Sequence, residues 1–156
     1  MTNRTLVGLV TATLALGMCS AVAIAADRKN YPGAFCTSSD GNGLYYNRTG
    51  AVENREPSLL TTICPVHRDD TRSSMFISDW DVVVSRPSTG PAWDLFLHSR
   101  NTSGTAGYSG YITVGAGNGD QVKDGGQVSS YSDGVVYIQT ELPVGATIRG
   151  YRVSEE

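Results

Sequence analysis

The chain has 156 residues, with 12 Lys and Arg against 15 Asp and Glu, for a formal net charge of −3. That mildly acidic balance lacks the basic face that phosphates demand, which argues against nucleic acid and against an anionic membrane surface as the main partner. The length suits one domain with a real core once any targeting segment is removed.

Residues 1–26 read as a secretory signal peptide. Arg4 precedes an uncharged run from Thr5 to Ala26, whose apolar centre is Leu6, Val7, Leu9, Val10, Leu14 and Leu16. Ala23-Ile24-Ala25 sets small residues where a signal peptidase reads, and Asp27-Arg28-Lys29 turns abruptly polar. Cleavage after Ala25 or Ala26 fits equally well. A retained anchor is the rival, since ~20 apolar residues span a bilayer. However, Gly8, Thr11, Thr13, Gly17 and Ser20 dilute the run. A lipid on Cys19 is disfavoured by Met18 before it and by the apolar residues after it. The expected product is a secreted or periplasmic domain over 27–156 with no stable membrane anchor. Loss of Arg4 lowers the basic count from 12 to 11 against 15 acids, a net charge of −4.

Beyond the signal, no long helical period occurs. Short alternating or β-branched runs predict strands at Leu44–Arg48, Leu59–Cys64, Met75–Ser85, Ala92–His98, Tyr108–Val114, Val135–Leu142 and Thr147–Val153, with a short one near Ala51–Glu53. Turn signals separate them at Asp40-Gly41-Asn42-Gly43, at Arg86–Pro91 and at Pro143-Val144-Gly145. Seven or eight strands in this length suggest an all-β, antiparallel two-sheet β-sandwich, with a small β-barrel as the alternative. Val136, Ile138, Thr140 and Leu142 share the face expected to look inward, and Val135, Tyr137, Gln139 and Glu141 the outward one. Trp93, Leu95 and Leu97 form one face of their strand while Phe96 lies on the other, which suggests a strand covered on both faces. Asn101 to Gly126 holds eight glycines, so a long mobile loop is expected there.

Cys36 and Cys64 remain after cleavage, and in an oxidising compartment such a pair reads as a disulfide. A catalytic thiol would need a partner that lowers its pKa. A zinc site needs about four ligands, and would use both cysteines with His67 and His98 at no ligand-like spacing. No metal and no cofactor is therefore expected.

At YPGAFC (Tyr31 to Cys36), ICPVHRDD (Ile63 to Asp70), ELP (Glu141 to Pro143) and IRGYRVSEE (Ile148 to Glu156), the chain resembles a group of small secreted bacterial proteins of unknown function. The resemblance covers nearly the whole mature chain through short motifs. Members carry a second cysteine pair on two later strands, where this sequence holds Phe96 and Thr140. The resemblance thus implies a secreted β domain that keeps one disulfide and replaces a second by packing. It implies no mechanism.

Few residues here suit catalysis. A Ser-His-Asp site needs a histidine base, and no Gly-x-Ser-x-Gly elbow is present. His67 with Asp69 or Asp70 is the best catalytic-looking cluster, and the simpler reading is a solvated strand-end turn. Asp79 and Asp81 flank Trp80 and would point together ~7 Å apart by strand geometry. Glycoside cleavage needs carboxylates that face each other across the bond, so an exposed acidic face over a core Trp80 is expected. Asp40-Gly41-Asn42-Gly43 and the stretch from Gly119-Asp120 to Asp124-Gly125 begin like calcium loops but lack the later ligands, and read as turns. Binding is the remaining class. Eight Tyr and two Trp include Tyr45, Tyr46, Tyr108 and Tyr111 near expected loops, a composition suited to an adaptable recognition surface. Asn47-Arg48-Thr49 and Asn101-Thr102-Ser103 match glycosylation acceptors, which an exported bacterial protein usually leaves unmodified. The sequence therefore suggests a non-catalytic secreted domain that binds an extracellular protein or glycan or serves a structural role. A small hydrolase using His67 with Asp69 or Asp70 is the alternative.

Overall fold

A computed structural model describes residues 27–68, 76–86, 90–103, 107–115, 119–131 and 134–155. The expected signal peptide, Asp69 and Asp70 lie outside these residues.

In chain order the elements are β1 (Asp27–Pro32), a one-turn 3-10 helix (Gly33–Phe35), β2 (Thr37–Ser38), β3 (Leu44–Tyr46), β4 (Val52–Asn54), β5 (Leu60–Val66) and β6 (Phe76–Arg86). Then follow β7 (Trp93–Arg100), β8 (Tyr108–Val114), β9 (Gly119–Asp124), β10 (Val128–Ser129), β11 (Val135–Leu142) and β12 (Thr147–Glu155). They form two antiparallel sheets, one of seven strands and one of five, that face each other without closing into a barrel. This is the expected sandwich.

In the seven-stranded sheet, β6 and β12 lie side by side. Eleven and nine residues long, they span ~37 and ~31 Å at ~3.4 Å per residue, so each outer edge accommodates two short partners. The free edge of β12 takes β4 at its start and β1 along the rest. That of β6 takes β9 and β10. The five-stranded sheet runs β2, β5, β11, β7, β8.

Period-two alternation fills the space between the sheets. Val136, Ile138, Thr140 and Leu142 of β11 and Trp93, Leu95 and Leu97 of β7 are all buried, opposite Trp80, Val82, Val84, Ile148 and Val153. Each large apolar side chain so enclosed contributes roughly 1.5–3 kcal/mol. Buried Asn54 is fully used: its Nδ2 donates to the Leu142 and Ser58 carbonyls at 2.7 and 2.8 Å, and its Oδ1 accepts the Glu56 amide at 2.8 Å. Cys36 and Cys64 form a disulfide, both residues fully enclosed, so neither thiol nor metal chemistry is open to them. Among the described residues no helix is long and apolar enough to cross a membrane.

All eight expected strands form, and four more join them. The extra strands β1, β2, β9 and β10 carry little apolar alternation; β1 and β9 are held by long ladders to β12 and β6. The expected mobile loop over 101–126 is thereby corrected, since it contains β8 and β9. The Gly119 to Gly125 stretch is not a turn either; Asp120 sits in β9 with an oxygen 2.7 Å from Arg149. Trp80 is in the core as expected, but the acidic face is not simply exposed. Asp81 is buried against Arg152, while Asp79 lies 4.0 Å from Arg28. Buried Glu155 binds Lys29 at 3.3 Å and Arg68 at 2.9 Å, fastening the last strand to the first and to the end of β5.

Candidate functional site

On β7 the residues that alternate with the core set are Asp94, Phe96, His98 and Arg100, and on β11 they are Val135, Tyr137, Gln139 and Glu141. Among the described residues no layer covers this face. Phe96 is 39% exposed, which corrects the expectation that its strand is covered on both sides. The register sets Tyr111 of β8 opposite Phe96, and Phe96 opposite Gln139. The rings form a continuous row: Tyr111 to Phe96 at 6.4 Å, Phe96 to His98 at 6.0 Å, and His98 to Tyr137 at 5.2 Å between centroids. Partial burial, then the nearby Arg100 charge, push the His98 pKa down and favour the neutral ring.

Beside Phe96 the face sinks into a groove of about 360 Å³ lined by Leu59, Trp93, Asp94, Gln139 and Glu141, among others. A second groove of about 460 Å³ shares Leu59, Pro91 and Pro143 with the first and runs over Pro57 and Val144 at the loop rim. Leu95 pairs with Thr140, so one step along the ladder sets Asp94 against Glu141, with Cβ atoms ~5 Å apart by sheet geometry. Asp94 accepts the Thr113 hydroxyl at 2.6 Å and Glu141 the Thr61 hydroxyl at 2.7 Å. Trp93 is buried, and its indole N–H has no hydrogen-bond partner among the described residues. Both carboxylates leave the sheet on the same side, so they can grip one edge of a ligand rather than flank a bond. Among the described residues no group of three or more His, Cys, Asp or Glu could hold a metal ion.

The four tyrosines singled out by sequence are all exposed, but they fall into two separate pairs. Tyr45 and Tyr46 sit on β3, the last strand of one edge of the seven-stranded sheet. Tyr108 and Tyr111 sit on β8, which packs against β9 and β10 at the other edge. Tyr45 lies under the Arg55 guanidinium, 3.3 Å from the ring centroid, and Tyr46 donates to the Cys36 carbonyl at 3.1 Å. Tyr111 alone joins the aromatic row. Phe96, His98 and Tyr137 complete it, and the sequence signal for them was parity: all share the outward phase of β7 and β11.

The ring of His67 is exposed, and its carbonyl accepts Tyr31 Oη at 2.7 Å and Lys29 Nζ at 3.1 Å. Nearby, the Tyr151 hydroxyl donates to the Pro65 carbonyl at 2.5 Å, and burial, with a smaller contribution from Tyr31, raises its pKa. Positions 96 and 140 point to opposite faces of their sheet, so Phe96 and Thr140 do not pack together in place of a disulfide.

No family model matches the chain, and no curated protein matches it. Among solved structures, a GH26-CBM35 β-(1,4)-mannanase from Podospora anserina is similar at 13% identity and a TM-score of 0.50, over 83% of this chain and 28% of that one. The chain thus spans well under a third of that protein. CsCBM6-3 from Clostridium stercorarium, solved with cellobiose, aligns at 16% identity and a TM-score of 0.42 over 76% of this chain and 92% of that one. BiXyn10A CBM1 in its apo form aligns at 14% identity and a TM-score of 0.46, over 85% and 91% of the two chains.

Proposed function

We propose that the protein is a non-catalytic extracytoplasmic domain that binds a glycan on the outer face of its five-stranded sheet. The observation that carries this reading is the exposed Phe96–Tyr111 pair beside a groove edged by Asp94, Gln139 and Glu141. A pyranose has apolar C–H faces that lie on aromatic rings and a hydroxyl rim that needs acceptors and donors. The face offers both at once, which is the usual make-up of a ligand site. The fold shared with a mannanase that bears a CBM35, a carbohydrate-binding module, is in keeping with it. The hydrolase alternative gains less support: what the described residues supply around His67, an exposed residue, is an anchor for its carbonyl and a Tyr31 ring 6.5 Å from the imidazole.

A glycan array and a polysaccharide pull-down with the purified protein and its Phe96→Ala variant test the reading. The expected result is binding to at least one glycan class that Phe96→Ala weakens about tenfold or more, a factor worth ~1.4 kcal/mol. Tyr45→Ala on the opposite flank should leave it unchanged. Binding that survives Phe96→Ala but is lost with Tyr45→Ala would move the site to β3.

A further inference from the structure

Resting on that glycan reading, we propose that the groove selects glycans whose sugars carry free amines, polymers of hexosamine, over neutral glycans and against uronic-acid ones. The charges in the groove carry the inference. Asp94 and Glu141 oppose each other across neighbouring strands, an arrangement that is unfavourable for two like charges. Among the described residues their partners are the neutral hydroxyls of Thr113 and Thr61. Among the described residues no Lys, Arg or His lines either groove. Arg86 lies behind the groove, 5.4 Å from the buried Trp93 ring, and donates to the Gly115 carbonyl. Arg100 stands six residues along β7 from Asp94, ~20 Å away at strand spacing, and the histidine between them favours its neutral form.

A sugar hydroxyl needs one acceptor and no net charge. Two uncompensated carboxylates exceed that need, and they repel a uronate outright. An ammonium set between them forms two charge-assisted hydrogen bonds and removes the repulsion between Asp94 and Glu141. The same cation lies beside the Phe96 ring face, where a cation–π contact adds to it. The device is therefore attractive and repulsive together, which is how a binding site separates ligands of like shape. Continuity of the first groove with the Pro57–Val144 rim gives room for neighbouring sugars of one chain.

Calorimetric titration with three β-1,4-linked hexamers of equal length tests this: glucosamine, N-acetylglucosamine and glucose. The wild-type protein should bind the glucosamine hexamer at least tenfold more tightly than the other two, and 0.5 M salt should reduce that preference. Asp94→Asn with Glu141→Gln should abolish the preference while leaving the weaker neutral binding. Asp40→Asn with Asp124→Asn, remote from the groove and equal in charge removed, should keep it. Equal binding of all three hexamers, or a preference that survives the groove double variant, overturns the amine inference and leaves the glycan reading in place. If the remote pair abolishes the preference as well, attraction to overall charge explains it and the inference is overturned. No binding of any hexamer, with a blank glycan array, overturns both. All four substituted carboxylates are exposed, and thermal melts of each variant check that the fold is kept.

Discussion

Opening the Cys36–Cys64 bridge gives a change whose size follows from the structure. The two residues are 28 apart in sequence. In the chain-entropy treatment, closing a loop of that length removes ~12 cal/mol/K from the unfolded chain, about 3.6 kcal/mol at 25 °C. A domain of about 130 residues unfolds with ~0.27 kcal/mol/K of entropy at its midpoint, so that loss lowers Tm by about 13 °C. The cleanest perturbation keeps the sulfurs: the protein is reduced in denaturant, refolded under reductant and compared with its oxidised form by urea titration. Cys36→Ala with Cys64→Ala should fall lower still, by ~1–2 kcal/mol, because both residues are fully enclosed and their sulfurs leave a void. Intact mass with and without reductant establishes the starting state. A difference below ~1 kcal/mol between oxidised and reduced forms would refute the loop argument, and two free thiols in the native protein would refute the bridge.

Asp81→Asn leaves the Arg152 guanidinium without its carboxylate under a buried position, and should cost ~2 kcal/mol in urea titration; the 3–5 kcal/mol of a fully enclosed pair is discounted because Arg152 keeps 30% of its side chain exposed. Gly125→Ala would bring a Cβ to 2.0 Å from Cε2 of fully buried Trp80. Overpacking of that kind should cost ~1–3 kcal/mol, read by thermal melts and by the near-UV signal of Trp80. His98 has a folded pKa below its ordinary 6.5, so between the two values the unfolded chain binds more protons. Its contribution to stability is therefore full above about pH 6.5 and falls with pH toward the folded value, at no more than ~1.4 kcal/mol per pH unit. His98→Gln should flatten that part of the stability curve between pH 7 and 5, and an unchanged slope would count against the burial of this ring.

Strands whose side chains alternate were legible from sequence to the residue: Tyr108–Val114 and Val135–Leu142 have the bounds their pattern implies. Strands recruited by a neighbour were not. Asp27–Pro32 and Gly119–Asp124 are polar stretches that would be coil alone, and they become strands because β12 and β6 present open backbone edges to them. Asp81 looked like half of an exposed acidic pair because its partner Arg152 lies 71 residues away. The candidate site shows the same division. Phe96 was visible as an aromatic out of phase with its strand, but phase alone does not tell a covered face from an open one. The tyrosines were chosen for nearness to turns, whereas the aromatic row is set by shared parity and cross-strand register, so only Tyr111 belongs to both.

The two outer faces of the sandwich handle charge in opposite ways, and that contrast bears on which one meets a ligand. Across the seven-stranded sheet, acids meet bases within the chain: Asp79 with Arg28, Asp81 with Arg152, Asp120 with Arg149. The exposed pairs at Asp79 and Asp120 add little stability, and all three pairs leave few charges for a partner to satisfy. On the five-stranded sheet, among the described residues, Asp94 and Glu141 hold only threonine hydroxyls while Phe96 and Tyr111 stay uncovered. Leaving apolar rings and two like charges together in water gains nothing for folding. Such an arrangement becomes favourable when a ligand with an apolar face and a donor-rich or cationic edge covers it. The reading therefore rests on the contrast between the faces as well as on the groove. Placing Lys at position 139 tests it: the new cation beside Asp94 and Glu141 should copy the self-paired state of the other sheet. Gln139→Lys should leave stability within ~0.5 kcal/mol, as for an exposed substitution, while weakening amine-glycan binding at least tenfold. Undiminished binding by that variant would mean the ligand does not use these carboxylates.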